Sequence, residues 1–346
     1  MANFETREIV CKSVINRVHG MPFRWSINPY RGCRHACVYC YARPTHEFLG
    51  LNGGAEFQEV IFVKVNASQV VRRELGRPSW RGDDVVIGTA TDPYQQAESR
   101  YRITREILAA FRDFRNPVSL TTKSPMILRD LDVLSELSRH APVTVHFTVT
   151  TLDEGLWKKI EPTTSKPRRR LEAMRTLREH GVRAGVFLSP VLPGLTDDDH
   201  HLEEVIAAAA EYRADFLYGD VLRLGPGITE YYRPFIQDNF PEHTNLYDRL
   251  YRRNYAGAPY VERVRERIAA FKSRYALSGD RVTETRTVPP REPVQLPLFM
   301  APTSGRQFAH GAASANARLA AATVRSTSAA PWLDEIIHAS NWEGGR

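Results

Sequence analysis

The stretch VTVHFTVTTLDEGLWKKIEPTTSKPRRRLEAMRTLREHGVRAGVFL, residues 143–188, carries a β-rich run at each end and a helical pattern between them. Residues 143–150 and 182–188 are dense in Val, Phe and Thr, which suit a pleated, half-buried surface. Within 167–180, Leu171, Met174 and Leu177 recur at helical spacing and mark one apolar face. Strand, helix, strand in that order argues for parallel pairing with the helix laid outside the sheet.

The same alternation runs outward in both directions, from about residue 25 to residue 277. Further strand candidates are 25–30, 85–90, 118–122 and 216–222, with helix patterns at 104–114, 128–139 and 202–213. Six such units suit a closed or partly closed barrel, so the expected fold is α/β, a partial (β/α)6 barrel of the TIM type. Chemistry in such barrels sits where strands end. Polar residues gather there: Thr89, Thr91, Asp92 and Tyr94 after one strand, Thr122, Lys123 and Ser124 after another, then Thr148, Thr150 and Ser189. Ordinary capping also favours Thr and Ser at these places.

A β-like run at 59–65 and a helix pattern at 68–75 read as an insertion beside the first unit. Helical stretches follow the last strand, at 228–237, 244–254 and 259–275. In the last, Val261, Val264, Ile268, Phe271 and Tyr275 form a stripe expected to lie on the barrel. The chain thus divides into an N-terminal arm (1–24), a barrel with a C-terminal helical extension (25–277) and a tail (278–346). The tail is rich in Ala, Ser, Thr, Pro and Gly without periodicity and reads as mostly disordered. Two apolar islands interrupt it, QLPLF from Gln295 to Phe299 and PWLDEII at 331–337.

At 346 residues, 42% hydrophobic and 25% charged, the composition is that of a globular protein. No apolar run approaches the roughly 20 residues that span a bilayer, so no membrane role is expected. The opening MANFETREIVCKSV mixes acids and bases and lacks a secretory apolar segment, which points to a cytoplasmic protein. A formal charge of +7 permits a polyanionic partner without demanding one.

In a reducing compartment, closely spaced cysteines read as metal or redox ligands. The segment CRHACVYCYA (33–42) holds Cys33, Cys37 and Cys40 in a C-x3-C-x2-C spacing, and Cys11 is the one other cysteine of the chain. A structural zinc needs four donors, with His35, His46 or Cys11 completing the set. A conventional four-iron cluster takes four cysteines, and Cys11 would have to fold back across more than twenty residues. The remaining alternative leaves the fourth position open, so that an iron binds a substrate or cofactor directly.

The C-x3-C-x-aromatic-C pattern, here Cys33, Cys37, Tyr39 and Cys40, resembles the signature of the radical S-adenosylmethionine (radical SAM) enzymes. The resemblance implies a four-iron, four-sulfur (4Fe-4S) cluster on the three thiolates, with S-adenosylmethionine on the open iron. It implies reductive cleavage to a 5′-deoxyadenosyl radical, a reductant such as flavodoxin or ferredoxin, and a partial six-unit barrel. Across about 27–224 the sequence is most similar to the spore photoproduct lyase group. Thr122-Lys123, Phe147-Thr148-Val149, Glu161-Pro162-Thr163 and Arg170-Leu171 match segments of that group in order. The match implies that Tyr39, Thr91, Lys123 and Thr148 surround S-adenosylmethionine. One departure matters: Thr89 stands where the lyase has a hydrogen-donating cysteine. A hydroxyl of threonine holds its hydrogen too strongly for that task, which leaves Tyr39, Tyr41 or Tyr94 as candidate catalytic donors.

A nucleic-acid substrate, DNA or RNA, in repair or modification, should show a basic surface interleaved with aromatics. Candidates are Arg168-Arg169-Arg170, the Tyr247 to Tyr255 region with Arg249, Arg252 and Arg253, and the pair Arg263 and Arg267. Gln295 to Phe299 resembles the peptide with which bacterial repair proteins dock on the sliding clamp. The competing readings are a zinc-stabilised nucleic-acid-binding protein using Cys33, Cys37, Cys40 and a histidine, and an iron-sulfur electron carrier with Cys11 as fourth ligand.

Overall fold

A computed structural model describes residues 4–277. The tail reading and the Gln295 to Phe299 peptide lie outside the described residues. Among the described residues ten strands and eleven α-helices follow in chain order. The strands are β1 (Glu5–Ile9), β2 (Asn16–Arg17), β3 (Trp25–Ile27), β4 (Tyr30–Arg31), β5 (Val60–Lys64), β6 (Val85–Ile87), β7 (Val118–Thr122), β8 (Val143–Thr148), β9 (Arg183–Val191) and β10 (Leu217–Val221). The first helices are α1 (Glu56–Glu59), α2 (Ala67–Leu75), α3 (Gln96–Tyr101), α4 (Ile103–Asp113), α5 (Leu131–Ser138) and α6 (Glu154–Ile160). They are followed by α7 (Pro167–Glu179), α8 (Asp199–Glu211), α9 (Thr229–Asn239), α10 (Thr244–Leu250) and α11 (Ala258–Arg274).

Strands β3, β6, β7, β8, β9 and β10 lie side by side in chain order and all pair in parallel, which is the expected six-unit barrel. The short β2 adds antiparallel to β3 at the edge. On β7 and β8 one face is buried (Val118, Leu120, Val143, Val145, Phe147), while the other (Ser119, Thr121, Thr144, His146) is partly open. Helices α5 and α7 pack on β8, and α7 also on β9. The partly open face therefore lines the concave side of the sheet. Leu171, Met174 and Leu177 of α7 are buried, at about 1.5–3 kcal/mol each. On α11, Val264, Ile268 and Phe271 are buried, with Val261 and Tyr275 packed at the margin.

Two expectations on the first unit change. The run 25–30 is not one strand: it breaks after Ile27, and Tyr30 and Arg31 leave for a second sheet, of order β1-β5-β4. Pro29 at the break has no N–H to offer a ladder. The segment read as an insertion, β5, pairs in parallel with β1, so part of the N-terminal arm and the insertion form one small sheet beside the barrel. Among the described residues no helix is long and apolar enough to cross a membrane.

Candidate active site

The cysteine loop joins β4 to a 3-10 turn, Arg43–Leu49. Gly32 enters it at φ +79°, and a Cβ there would come within 2.8 Å of the Phe57 and Val60 carbonyl oxygens. Only glycine suits that position. The Cys33 N–H donates to the Phe57 carbonyl at 3.0 Å, and Ala36, at φ +55°, turns the chain between the first two cysteines. Cys33 and Cys37 are buried and Cys40 is partly exposed. Arg43, fully buried, reaches back from the turn and donates to the carbonyls of Ala36 at 3.3 Å and Cys37 at 3.0 Å.

The loop after β6 supplies the opposite wall. Asp92 accepts from the Tyr94 N–H at 2.8 Å, the Thr122 hydroxyl at 2.8 Å and the Lys123 N–H at 2.7 Å, tying the ends of β6 and β7 together. His35 Nδ1 lies 3.2 Å from its carboxylate. Burial opposes ionisation of Asp92, yet the His35 imidazole and the two N–H donors outweigh it and hold the carboxyl down at about 2. The Asp92 N–H in turn points at Cys33 Sγ, 3.5 Å away. Thr91 is buried, and its hydroxyl donates to the Gly32 carbonyl at 2.7 Å and accepts from Gln95 Nε2 at 2.8 Å. Those bonds make Thr91 a strut of the cysteine loop.

A third wall follows β8. Tyr39 from the loop donates its hydroxyl to Glu161, which also accepts from the Thr150 and Thr164 hydroxyls and pairs with the buried Arg170. Arg170 further donates to the Thr148 carbonyl at 2.8 Å. Burial would raise the Glu161 carboxyl, but the Arg170 and Lys123 charges and these hydrogen bonds bring it down to about 2. The Val38 N–H donates to Ile160 O at 3.0 Å, and the Thr163 hydroxyl donates to the Arg34 carbonyl, so the segment after α6 clasps the loop. Lys123 lies with its ammonium 5.7 Å from the Tyr39 ring centre. Burial disfavours that charge, but Cys37 and Glu161 together raise its pKa above the ordinary lysine value. Thr148 is buried at the end of β8, next along the sheet to Thr122 and Lys123.

The three candidate tyrosines separate clearly. Tyr39 is buried and bonded to Glu161. Tyr41 is 62% exposed and donates its hydroxyl to the Thr89 carbonyl. Tyr94 is buried, with its hydroxyl among Asp130, Glu98 and Arg129. That cluster is shared with Tyr30 and braces α3 and α4.

The fourth-ligand candidates are committed elsewhere. Cys11 has its thiol 3.3 Å from Asn66 Oδ1, and Asn66 clamps its N–H and carbonyl at 2.9 Å each. His46 Nε2 lies 3.0 Å from the Val60 carbonyl between Phe57 and Phe62, and His35 faces Asp92. Among the described residues no three His, Cys, Asp or Glu side chains converge to hold a single metal ion. A cluster places each thiolate on a different iron, so it does not require that convergence. Burial pushes the Cys37 thiol up to about 12, only partly offset by Lys123, and burial with the Asp92 charge pushes Cys33 higher still. Such buried thiols become thiolates when a cation binds them. Three soft donors, with the Asp92 N–H turned toward Cys33 and the Lys123 charge acting on Cys37, fit an iron-sulfur group.

The sequence profile of the radical SAM superfamily matches residues 27–206, from the end of β3 into α8. The chain belongs to the radical SAM superfamily. As a radical SAM enzyme it is one of a family whose chemistry implies an iron-sulfur cluster and S-adenosylmethionine. An uncharacterised protein of Mycobacterium tuberculosis is 38% identical over 301 residues, 84% of this chain and 87% of its own. A radical SAM Nα-GlyT isomerase of Pseudomonas phage M6 is 26% identical over 66% of this chain and 46% of its own. Among solved structures, spore photoproduct lyase complexed with a dinucleoside spore photoproduct superposes with a TM-score of 0.60 at 15% identity, covering 78% of this chain and 79% of that one. The lyase-like fold expected from the sequence is therefore present.

Among the basic candidates, Arg170 is buried against Glu161, Arg168 faces Glu204 at 3.8 Å, and Arg267 pairs with Asp199. Tyr247 and Tyr251 are core residues, while Tyr255 stays 38% exposed beside Arg223. Missed in the sequence are Arg43, Gln95 and the clasp of Thr163. Each acts through backbone carbonyls or a single amide, contacts that leave no residue-type pattern to find.

Proposed function

We propose that this radical SAM enzyme reductively cleaves S-adenosylmethionine at a 4Fe-4S cluster held by Cys33, Cys37 and Cys40, and that its substrate is a nucleic acid. The observation that carries the proposal is the convergence of the cysteine loop, Lys123 and Thr148 at the carboxyl ends of β6, β7 and β8. When bound, the cluster supplies the electron that splits the sulfonium into methionine and a 5′-deoxyadenosyl radical, which takes a hydrogen atom from substrate. The chain binds, orients and shields. Lys123, kept charged by its acidic surroundings, offers an ammonium to the carboxylate of S-adenosylmethionine, with Tyr39 and Thr148 beside it. Thr91 holds the loop that carries the thiols. Buried walls exclude water and stray hydrogen donors.

Of the three tyrosines, Tyr41 is the best placed to return a hydrogen atom. Its hydroxyl lies on the backbone of Thr89, the position at which the similar lyase group carries its donor. The nucleic-acid part rests on the rim: exposed Tyr41 and Tyr255 flank Arg223, which pairs with Asp220 at 2.7 Å yet keeps its side chain half exposed, a combination suited to stacking and to phosphate. The similar lyase is itself complexed with a dinucleoside photoproduct. The test is anaerobic incubation of reconstituted protein with dithionite, S-adenosylmethionine and ultraviolet-irradiated or intact oligonucleotide. Salt-sensitive oligonucleotide binding and a changed nucleotide mass are expected. If 5′-deoxyadenosine forms while every oligonucleotide stays unbound and unchanged, the substrate class is wrong and the cleavage chemistry stands.

A further inference from the structure

Among the described residues Arg34, Arg43 and Arg170 are buried. Arg170 pairs with Glu161, and the partly buried Arg129 pairs with Glu98 and Asp130. Arg43 is fully buried, yet among the described residues no carboxylate lies within ion-pair distance of it. Its hydrogen bonding is complete. Nε donates to Cys37 O at 3.2 Å, Nη1 to Gly53 O and Gly54 O at 3.2 and 2.9 Å, and Nη2 to Ala36 O, Cys37 O and Gln58 Oε1 at 3.3, 3.0 and 3.3 Å. Its guanidinium lies 3.8 Å from the Tyr231 ring centre. These neutral partners satisfy the donors, and the Tyr231 and Phe57 rings face the cation, but none of them is a counter-ion. A buried charge without a counter-ion is costly, so the surroundings should supply an anion.

The anion nearest in the chain would be the thiolate-bound cluster, where Lys123 and Arg170 also act on Cys37. Arg43 is bonded to the backbone of Ala36 and Cys37, in the middle of the three-cysteine segment, and follows Cys40 by three residues. We infer that Arg43 is a positioning residue whose fixed positive charge and six-bonded fork hold the cysteine loop and raise the reduction potential of the cluster. Taking up an electron makes an anionic cluster more negative, and net charge and nearby donors set such potentials. A positive charge held beside it favours the reduced form, which the cleavage step requires. This inference rests on the proposed cluster.

The test is a redox titration of reconstituted holoprotein with dithionite, followed by electron paramagnetic resonance of the reduced cluster, for wild type, Arg43→Lys and Arg43→Gln. Lysine keeps the charge and loses the fork, while glutamine loses the charge. The expected order has Arg43→Gln with a midpoint clearly more negative than wild type and Arg43→Lys close to wild type, with lower iron content. Equal midpoints in the two loaded variants would overturn the charge role. Should neither variant load, Tyr231→Glu decides, because it sets a carboxylate over the guanidinium and leaves the fork in place. A more negative midpoint than in Tyr231→Phe supports the inference, and an unchanged one contradicts it. Absence of any cluster in the wild type would instead refute the proposed function, so the two failures are distinct.

Discussion

Single side chains carry most of the chemistry and most of the tests. Replacing Cys33, Cys37 or Cys40 by Ala should each abolish iron binding in anaerobic reconstitution, and Cys11→Ala should leave iron content unchanged, because Cys11 is tied to Asn66. Lys123→Met should weaken S-adenosylmethionine binding by about 10- to 100-fold, the value of one charge-assisted hydrogen bond, with the cluster spectrum retained; equilibrium dialysis reads it. Glu161→Gln leaves Arg170 buried without its partner and should cost about 3–5 kcal/mol in urea unfolding of the cluster-free protein. The ionised Glu161 contributes stability that is fully present above its ordinary value of 4.5 and is lost as pH falls through about 2. Urea midpoints of the wild type should therefore drop over that window more steeply than those of the Gln variant. The structure brings together the cysteines, Tyr39 and Lys123, which the sequence singled out, the cysteines and Tyr39 by their spacing and Lys123 by its likeness to the lyase segment. Glu161 and Arg170 were visible as matched residues with no role, since a tertiary ion pair between α6 and α7 has no local signature.

At the scale of elements, the long parallel strands and amphipathic helices were readable, as at β7, whose bounds are those expected, and α7, whose apolar face is buried. The failures came where a strand is two or three residues long. β3 and β4 read as one run because the sequence pattern does not say that the ladder changes partner at Pro29. β1, exposed at Glu5, Arg7 and Glu8 and only partly buried at Thr6 and Ile9, offers too little alternation to be found. The turn into the cysteine loop is the most sensitive junction. Gly32→Ala must strain a positive φ and push a methyl into two carbonyl oxygens. It should lower stability by at least about 1–3 kcal/mol and reduce iron loading, measured by urea unfolding and iron analysis. Unaltered loading and midpoint would show that the loop can relax, and that its geometry is not what presents the thiols.

For the whole molecule, a partial barrel explains why the site is where it is. Six parallel strands bring the ends of β6, β7 and β8 together, and residues separated by more than a hundred positions, such as Tyr39 and Thr150, meet there. The small β1-β5-β4 sheet and the helices after β10 flank this mouth. Tyr231 of α9 covers Arg43 under the cysteine loop, which couples the C-terminal extension to the cluster segment. Whether the three thiols leave one iron open for S-adenosylmethionine is read anaerobically: the reconstituted protein is reduced with dithionite, S-adenosylmethionine is added, and 5′-deoxyadenosine is quantified by mass spectrometry. It should form in the wild type and in Cys11→Ala, and be absent from each of the Cys33, Cys37 and Cys40 alanine variants. A fully loaded wild-type cluster that yields none would refute the open iron.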